Sequence, residues 1–144
     1  MKEFMTLENQ LCFAIYETSS EFTKLYTSAL RSFELTFPQY LVLLALWEKD
    51  GLTVKELGQT LKLGTGTLTP MLARMEAKGW LRKERSTEDE RCVNIHLLPK
   101  AIEEKPLIHQ KVAEEVLTCG IEFEEYQQLM QQLQLLKGKL KSRK

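Results

Sequence analysis

The amino-acid sequence predicts a mainly α protein with one small β-wing, and three observations carry that prediction. Apolar residues recur at helical spacing along most of the chain. Near the middle, two short helical stretches are closed by Leu63-Gly64 and by Gly79, and a charged ribbon with a polar turn follows them. Both ends of the chain are long amphipathic helices whose apolar faces exceed what one small module can cover.

Residues near 5 to 33 read as one long helix with Leu7, Leu11, Ile15, Phe22, Leu25, Ala29 and Leu30 as its apolar set. Pro38 stands at the start of a second helix, where its missing N–H costs nothing. That helix, 39 to 48, is apolar almost all round and therefore belongs in a core. Asp50-Gly51 turns the chain, and residues 52 to 54 are placed to add a short strand to the ribbon. Val54, Leu57 and Leu61 mark the next helix, and Leu63-Gly64 breaks it. Residues 65 to 77 form another, with Leu68, Met71, Leu72 and Met75 on one side, stopped by Gly79 in the C-terminal position that favours glycine. Residues 81 to 85 and 92 to 97 are strand-like, joined by the polar turn Ser86 to Arg91. Leu98-Pro99 opens a helical segment that Pro106 kinks or offsets, with Val112, Val116 and Leu117 on its apolar side. Gly120 marks a break, and 123 to 140 is a periodic helix carrying Leu129, Met130, Leu133, Leu136 and Leu140.

A chain of 144 residues is long enough for one domain with a real core. It has no apolar run of about 18 residues, so no membrane span is expected. No basic segment followed by an apolar block opens the chain, so no secretory signal is expected and the cytoplasm is the expected compartment. The three cysteines, Cys12, Cys92 and Cys119, are an odd count without framework spacing and should rest as thiols in a reducing cytosol. No His and Cys cluster has zinc-like spacing, and no metal or cofactor is expected. Formal charge sums to zero, and between Arg74 and Arg91 the basic residues only slightly outnumber the acidic ones, so any basic face must be made by geometry. The basic tail, Lys137 to Lys144, reads as a solvated helix end rather than a DNA arm. His96 and His109 are lone histidines and are assigned no role.

The order helix, tight turn, helix, ribbon over 51 to 97 is how a winged helix-turn-helix presents itself to DNA, with the second helix free to enter a major groove. At the N-terminal end of that helix, or away from its apolar side, lie Thr65, Thr67, Thr69 and Arg74. The hydroxyls and the helix N-terminus suit phosphates, and Arg74 is placed for a base edge or a phosphate. Lys83 and Arg85 are expected phosphate contacts. The terminal helices of two chains are expected to pack together in a two-fold dimer, which would set two reading helices about one turn of DNA apart, as a palindromic site requires.

Several motifs add to this reading. Asp89-Glu90-Arg91 stands in the wing, and Leu7-Glu8-Asn9-Gln10-Leu11-Cys12-Phe13, followed by Tyr16, stands near the start. Thr36-Phe37-Pro38-Gln39-Tyr40 and Gly66-Thr67-Leu68-Thr69-Pro70 complete the set. Together they make the chain resemble the MarR family of bacterial winged-helix transcription regulators, and within it the organic hydroperoxide resistance regulators. The resemblance covers most of the chain and is weakest after Leu98. It implies a single domain, 1–144, with dimerisation helices at 1–35 and 100–144 and the winged helix-turn-helix at 36–98. It implies that Arg91 enters a minor groove with Asp89 orienting it, the alternative being a solvent salt bridge in a turn. The chain departs from the subgroup at Gly64-Thr65, where Asp-Ser is usual; Thr65 is still able to cap the helix. Phe37 stands where a tyrosine commonly holds the reactive sulfur, and Leu98-Pro99-Lys100-Ala101 replaces the usual Leu-Thr-x-x-Gly.

Read from composition alone, Cys12 is an inert core thiol among Leu11, Phe13 and Ile15. The resemblance instead makes it a redox sensor whose thiolate attacks peroxide, a reaction that needs hydrogen-bond donors or positive charge nearby. Tyr26 and Tyr40 are the candidate donors, reaching across a dimer interface, with Tyr16 and Phe37 beside the site. An apolar lining from Phe13, Ile15, Phe22 and Phe37 suits an organic hydroperoxide. Oxidation gives a sulfenic acid first. Cys119, just before Gly120, is then either a resolving thiol for Cys12 of the other chain or a helix-end residue with no role; without it, a small cytosolic thiol would cap Cys12. Cys92, at the base of the wing, reads as structural. The expectation is a non-enzymatic, dimeric repressor that releases its operator on hydroperoxide oxidation. The alternatives are a MarR-type repressor released by a phenolic ligand, a thiol peroxidase (against which stands the lack of a base framing Cys12), and a helical adaptor without DNA binding.

Overall fold

The computed structural model describes residues 2–144. Two 3₁₀ turns, Lys2–Met5 and Leu7–Asn9, lead into α1 (Leu11–Leu30), and a third, Arg31–Phe33, leads out of it. Then come α2 (Phe37–Glu48), α3 (Val54–Leu61), α4 (Thr65–Ala77), β1 (Leu81–Arg85), β2 (Val93–Leu97), α5 (Pro99–Thr118) and α6 (Phe123–Lys141). The first helix is shorter than the expected 5 to 33. At its start, Asn9 Nδ2 donates to Glu3 O at 2.8 Å and to Thr6 Oγ1 at 2.9 Å, and Gln10 is extended. Side chains that bond nearby backbone compete with helix in this way. At its far end Glu34 takes a left-handed φ of 55°.

Helix α2 starts earlier than its apolar run because Thr36 and Gln39 form a capping box. Gln39 N–H donates to Thr36 Oγ1 at 3.3 Å, and Thr36 N–H donates to Gln39 Oε1 at 3.0 Å. Thr53 and Glu56 do the same for α3, and the Thr53 donors hold the Glu56 carboxyl below its usual range. Helix α3 ends on Lys62, at φ 60°, whose N–H joins that of Leu63 on Gly58 O. This turn is tight: a Cβ on Gly58 would lie 2.9 Å from Leu63 O. The cap of α4 is Gly64, not Thr65, which corrects the expectation. Gly64 is extended and its carbonyl takes the N–H groups of Thr67 and Leu68, so Thr65 is already the first helical residue and no side chain caps the helix. Gly79, at φ 84°, closes α4 as expected.

Strands β1 and β2 pair antiparallel, Leu81 opposite Leu97 and Arg85 opposite Val93. On the other side of β2, Gly51 N–H donates to Ile95 O and Ile95 N–H donates to Leu52 O, with a single bridge at Thr53–Asn94. The segment 52 to 54 thus covers that edge without becoming a strand. One core joins the end of α1 to α2, α3, α4, the ribbon and α5, with Leu30, Leu43, Leu57, Leu72, Trp80, Ile95 and Ile108 fully buried. Trp47 Nε1 donates to Ala101 O at 3.1 Å and ties α2 to α5. Helix α5 runs on through Pro106, and Gly120, at φ 73°, separates it from α6.

The terminal helices stay outside this core. Only Ala29 and Leu30 of α1 are buried, and nothing in α6 is. Leu7, Leu11, Ile15 and Phe22 of the expected first stripe are exposed, as are Leu117, Phe123, Leu129, Met130, Leu133 and Leu140.

Candidate nucleic-acid interface and thiol site

A cleft of about 720 Å³ opens between α4 and the ribbon. Thr65 and Thr69 line it from α4, Lys55 from α3, and Lys83, Arg85 and Arg91 from the wing, with no carboxylate among its lining residues. It is a basic concavity in a chain of zero net charge. At about 100° per residue, Thr65 and Thr69 share the wing-facing flank of α4, while Thr67 and Arg74 lie on the opposite flank, exposed. Between the flanks the outward face is Gly66, Pro70 and Ala73, short enough for the helix backbone to approach a groove closely.

The wing turn is built from its own side chains. Ser86 Oγ accepts from the N–H groups of Glu88 and Asp89, each at 3.2 Å. Asp89 Oδ1 accepts from Arg91 N–H at 3.0 Å and from Arg91 Nε at 3.3 Å. These bonds hold the Asp89 carboxyl below its usual range, backbone donor first, with a smaller share from the Cys92 thiol, whose Sγ is 3.7 Å from Oδ2. The remaining guanidinium edge of Arg91 projects into solvent, its side chain 92% exposed. Arg85 Nη1 donates to Glu90 O. It therefore braces the turn, and of the expected phosphate contacts Lys83 is the freer.

The residues expected around the thiol fall into two groups. Tyr26, Phe37 and Tyr40 meet where α1 crosses α2: the Tyr26 ring lies 5.1 Å from Phe37 and 5.8 Å from Tyr40. Burial first, then neighbouring phenols, push the Tyr26 and Tyr40 hydroxyls above their ordinary pKa, which keeps both as neutral donors. Tyr126 of α6 acts on both and was not singled out from the sequence. Cys12 and Tyr16 lie at the other end of α1, both exposed, with the Tyr16 ring 6.4 Å from Phe13. Fourteen residues of helix, about 21 Å, separate Cys12 from Tyr26 within one chain. Cys119, exposed just past α5, lines a groove of about 420 Å³ with Thr18, Phe22 and Leu25. Cys92 is half-buried and lines the basic cleft.

Lys55, Glu76 and Lys78 also escaped the sequence reading. Lys55 joins the cleft from the first turn of α3. Glu76 Oε2 accepts from Lys83 N–H at 2.7 Å, and Lys78 Nζ donates to Glu34 O at 3.1 Å. No local pattern marks such pairs, because the partners meet only once the helix and the ribbon are folded together.

The chain is similar to known transcriptional regulators. Residues 24–106 match the family model for transcriptional regulator SarA/Rot. The organic hydroperoxide resistance transcriptional regulator of Bacillus subtilis (strain 168) is 55% identical over 95 residues, 66% of this chain and 65% of that protein. The chain thus spans just under two thirds of that relative's length. Among solved structures, reduced AbfR bound to DNA is 38% identical with a TM-score of 0.87, covering 98% of this chain and 97% of that one. The disulfide-formed AbfR is 36% identical with a TM-score of 0.70, covering 94% and 95%. Crystallised AbfR comes from Staphylococcus epidermidis.

Proposed function

The chain belongs to the SarA/Rot family of transcriptional regulators, with a MarR-type winged-helix fold, and from that premise we propose that it is a dimeric repressor that releases its operator when an organic hydroperoxide oxidises Cys12. The observation that carries this reading is the basic, carboxylate-free cleft between α4 and the wing. The hydroperoxide signal rests on the name of the Bacillus subtilis relative, and a DNA-competent reduced state on the AbfR likeness. We place the chain in the cytoplasm and read it as a regulator rather than an enzyme because its relatives are named as transcriptional regulators. Among the described residues, no helix is long and apolar enough to cross a membrane.

Two observations support the dimer. The stripe on α1 and α6 is exposed in one chain, and each such side chain brought into a core stabilises by about 1.5–3 kcal/mol. Cys12 and Tyr26 cannot meet within one chain, whereas two α1 helices crossing antiparallel bring the thiol of one beside the phenols of the other. In this arrangement 1–35 and 100–144 dimerise and 36–98 reads DNA.

The chemistry then runs through Cys12. Its thiolate attacks the distal peroxide oxygen, the O–O bond breaks, an alcohol leaves with a proton from the medium, and Cys12 becomes a sulfenic acid. A thiol then displaces water from the sulfenic acid to give a disulfide. Cys119 within the same chain lies level with Thr18 to Leu25, about 9 Å or more along the axis from Cys12, and a disulfide needs Cα atoms within about 7 Å. The partner thiol is therefore Cys119 of the second protomer or a small cytosolic thiol. Either product displaces α1 from its neighbour and changes the spacing of the two reading helices. Specific binding exceeds non-specific by about 4–10 kcal/mol, so losing half of that empties an operator.

The test uses purified reduced protein and a palindromic duplex. An organic hydroperoxide should release wild type and leave Cys12→Ser protein bound. Equal release of both refutes the sensor role, and release of Cys12→Ser protein by a phenolic ligand alone would point to ligand control. Non-reducing electrophoresis, with and without Cys119→Ser, separates the two disulfide routes.

A further inference from the structure

Glu76 is a carboxylate at the edge of a basic cleft, where a negative charge opposes a polyanion. It lies on the wing-facing flank of α4 with Thr65 and Thr69, one turn before Gly79. The ribbon explains its presence. Ile95 directs both its N–H and its C=O away from β1, toward Gly51 and Leu52. Lys83 faces Ile95 in the register, so this is a pair without cross-strand bonds, and Lys83 N–H points out from the free edge of β1. Glu76 Oε2 takes that proton at 2.7 Å. A carboxylate acceptor makes this one of the stronger kinds of hydrogen bond. It joins the middle of β1 to the last turn of α4, across the Lys78-Gly79-Trp80 turn.

We propose that Glu76 is a positioning residue that sets the pitch of the wing against the reading helix, and through it the placement of Lys83 and Arg91 on DNA. The inference rests on the cleft being the DNA interface. A two-stranded ribbon alone is marginal in water. Arg85 and Ser86 stiffen the wing turn internally, so the ribbon and its tip move as one body. Bonds from residues 51 to 53 hold β2, and Leu81, Val93, Ile95 and Leu97 pack on the core; what Glu76 adds is a directed bond from α4 itself to the free edge of β1.

The two explanations of Glu76 predict opposite signs. If only its charge matters, Glu76→Ala and Glu76→Gln both bind DNA more tightly than wild type. If it positions the wing, Glu76→Gln, which keeps an oxygen acceptor and sheds the charge, binds as tightly as wild type or better, and Glu76→Ala binds about tenfold more weakly, a share of what one groove arginine is worth. Fluorescence anisotropy of the full-length reduced protein on operator duplex reads this. In an Arg91→Ala background the Ala substitution at 76 should cost less than it does in wild type, because one of the two wing contacts it serves is already gone. Glu76→Asp, one methylene too short, should behave like Ala. Amide hydrogen exchange at Lys83 without DNA should quicken in the Ala and Asp variants and stay slow in the Gln variant. Equal affinity of the Ala and Gln variants, full additivity with Arg91→Ala, or unchanged Lys83 exchange overturns the proposal. Failure of wild type to bind duplex at all would sink the DNA reading instead, while the exchange data would still decide whether the joint exists.

Discussion

Salt dependence offers the sharpest test of the cleft, because its magnitude can be counted from the structure. Four cations line the cleft, Lys55, Lys83, Arg85 and Arg91, and Arg85 is occupied by Glu90 O. Lys55, Lys83 and the edge of Arg91 that Asp89 does not hold are counted as phosphate contacts, three per protomer and hence six in a two-fold pair. Each neutralised phosphate contributes about −0.9 to the slope of log K against log salt, so the dimer should show a slope of about −5. Raising monovalent salt from 50 to 200 mM, a fourfold change, should then weaken binding by about a thousandfold. Lys83→Ala removes two contacts from the pair and should flatten the slope by about 2, whatever the duplex sequence. Anisotropy titrations of reduced protein across that salt range measure both. A wild-type slope shallower than about −2, or a Lys83→Ala slope equal to wild type, would mean that the cleft does not face the backbone and that the assignment of the wing is wrong.

Three further outcomes follow from local geometry. Gly58→Ala gains about 1 kcal/mol of helix propensity but drives a methyl to 2.9 Å from Leu63 O, against an overpacking cost of about 1–3 kcal/mol, a net loss of about 1 kcal/mol at mid-range, so the melting temperature should fall by about 2–4 °C; a rise in a thermal scan would contradict the tight turn. Lys62→Gly relieves a φ of 60° and should stabilise by about 0.5–1 kcal/mol in urea titration, with DNA affinity unchanged. Partial burial against Trp47, then Lys105, lowers the pKa of His109, whose ring lies 5.0 Å from the indole. The neutral ring favours the fold above the unfolded value of about 6.5, and that contribution is lost as pH falls below it, so wild type should lose more melting temperature than His109→Gln between pH 7.5 and 5.5.

Much of this was legible in one dimension because the signals are local. The α4 bounds, Gly79 and Gly120 are set by side-chain periodicity and by backbone angles that glycine alone adopts freely. The cleft threonines and wing cations were named from chemistry at the right spacing. The errors were also local: Thr65 as a cap overlooked that Gly64 already supplies the carbonyl for the first turn, and the long first helix overlooked the bonds Thr6 and Asn9 make to backbone.

Periodicity and motif spacing alone determined the succession of helices and the ribbon, since each depends on residues within a turn or two of one another. Tertiary structure alone decided that Arg85 is bound to its own wing, that Glu76 reaches Lys83, that Tyr126 joins Tyr26 and Tyr40, and that Cys12 stands a helix length away from them. Those relations depend on how elements distant in sequence are packed, and a directed contact such as a hydrogen bond has no counterpart in the order of residues until the core has fixed the angle at which two elements meet.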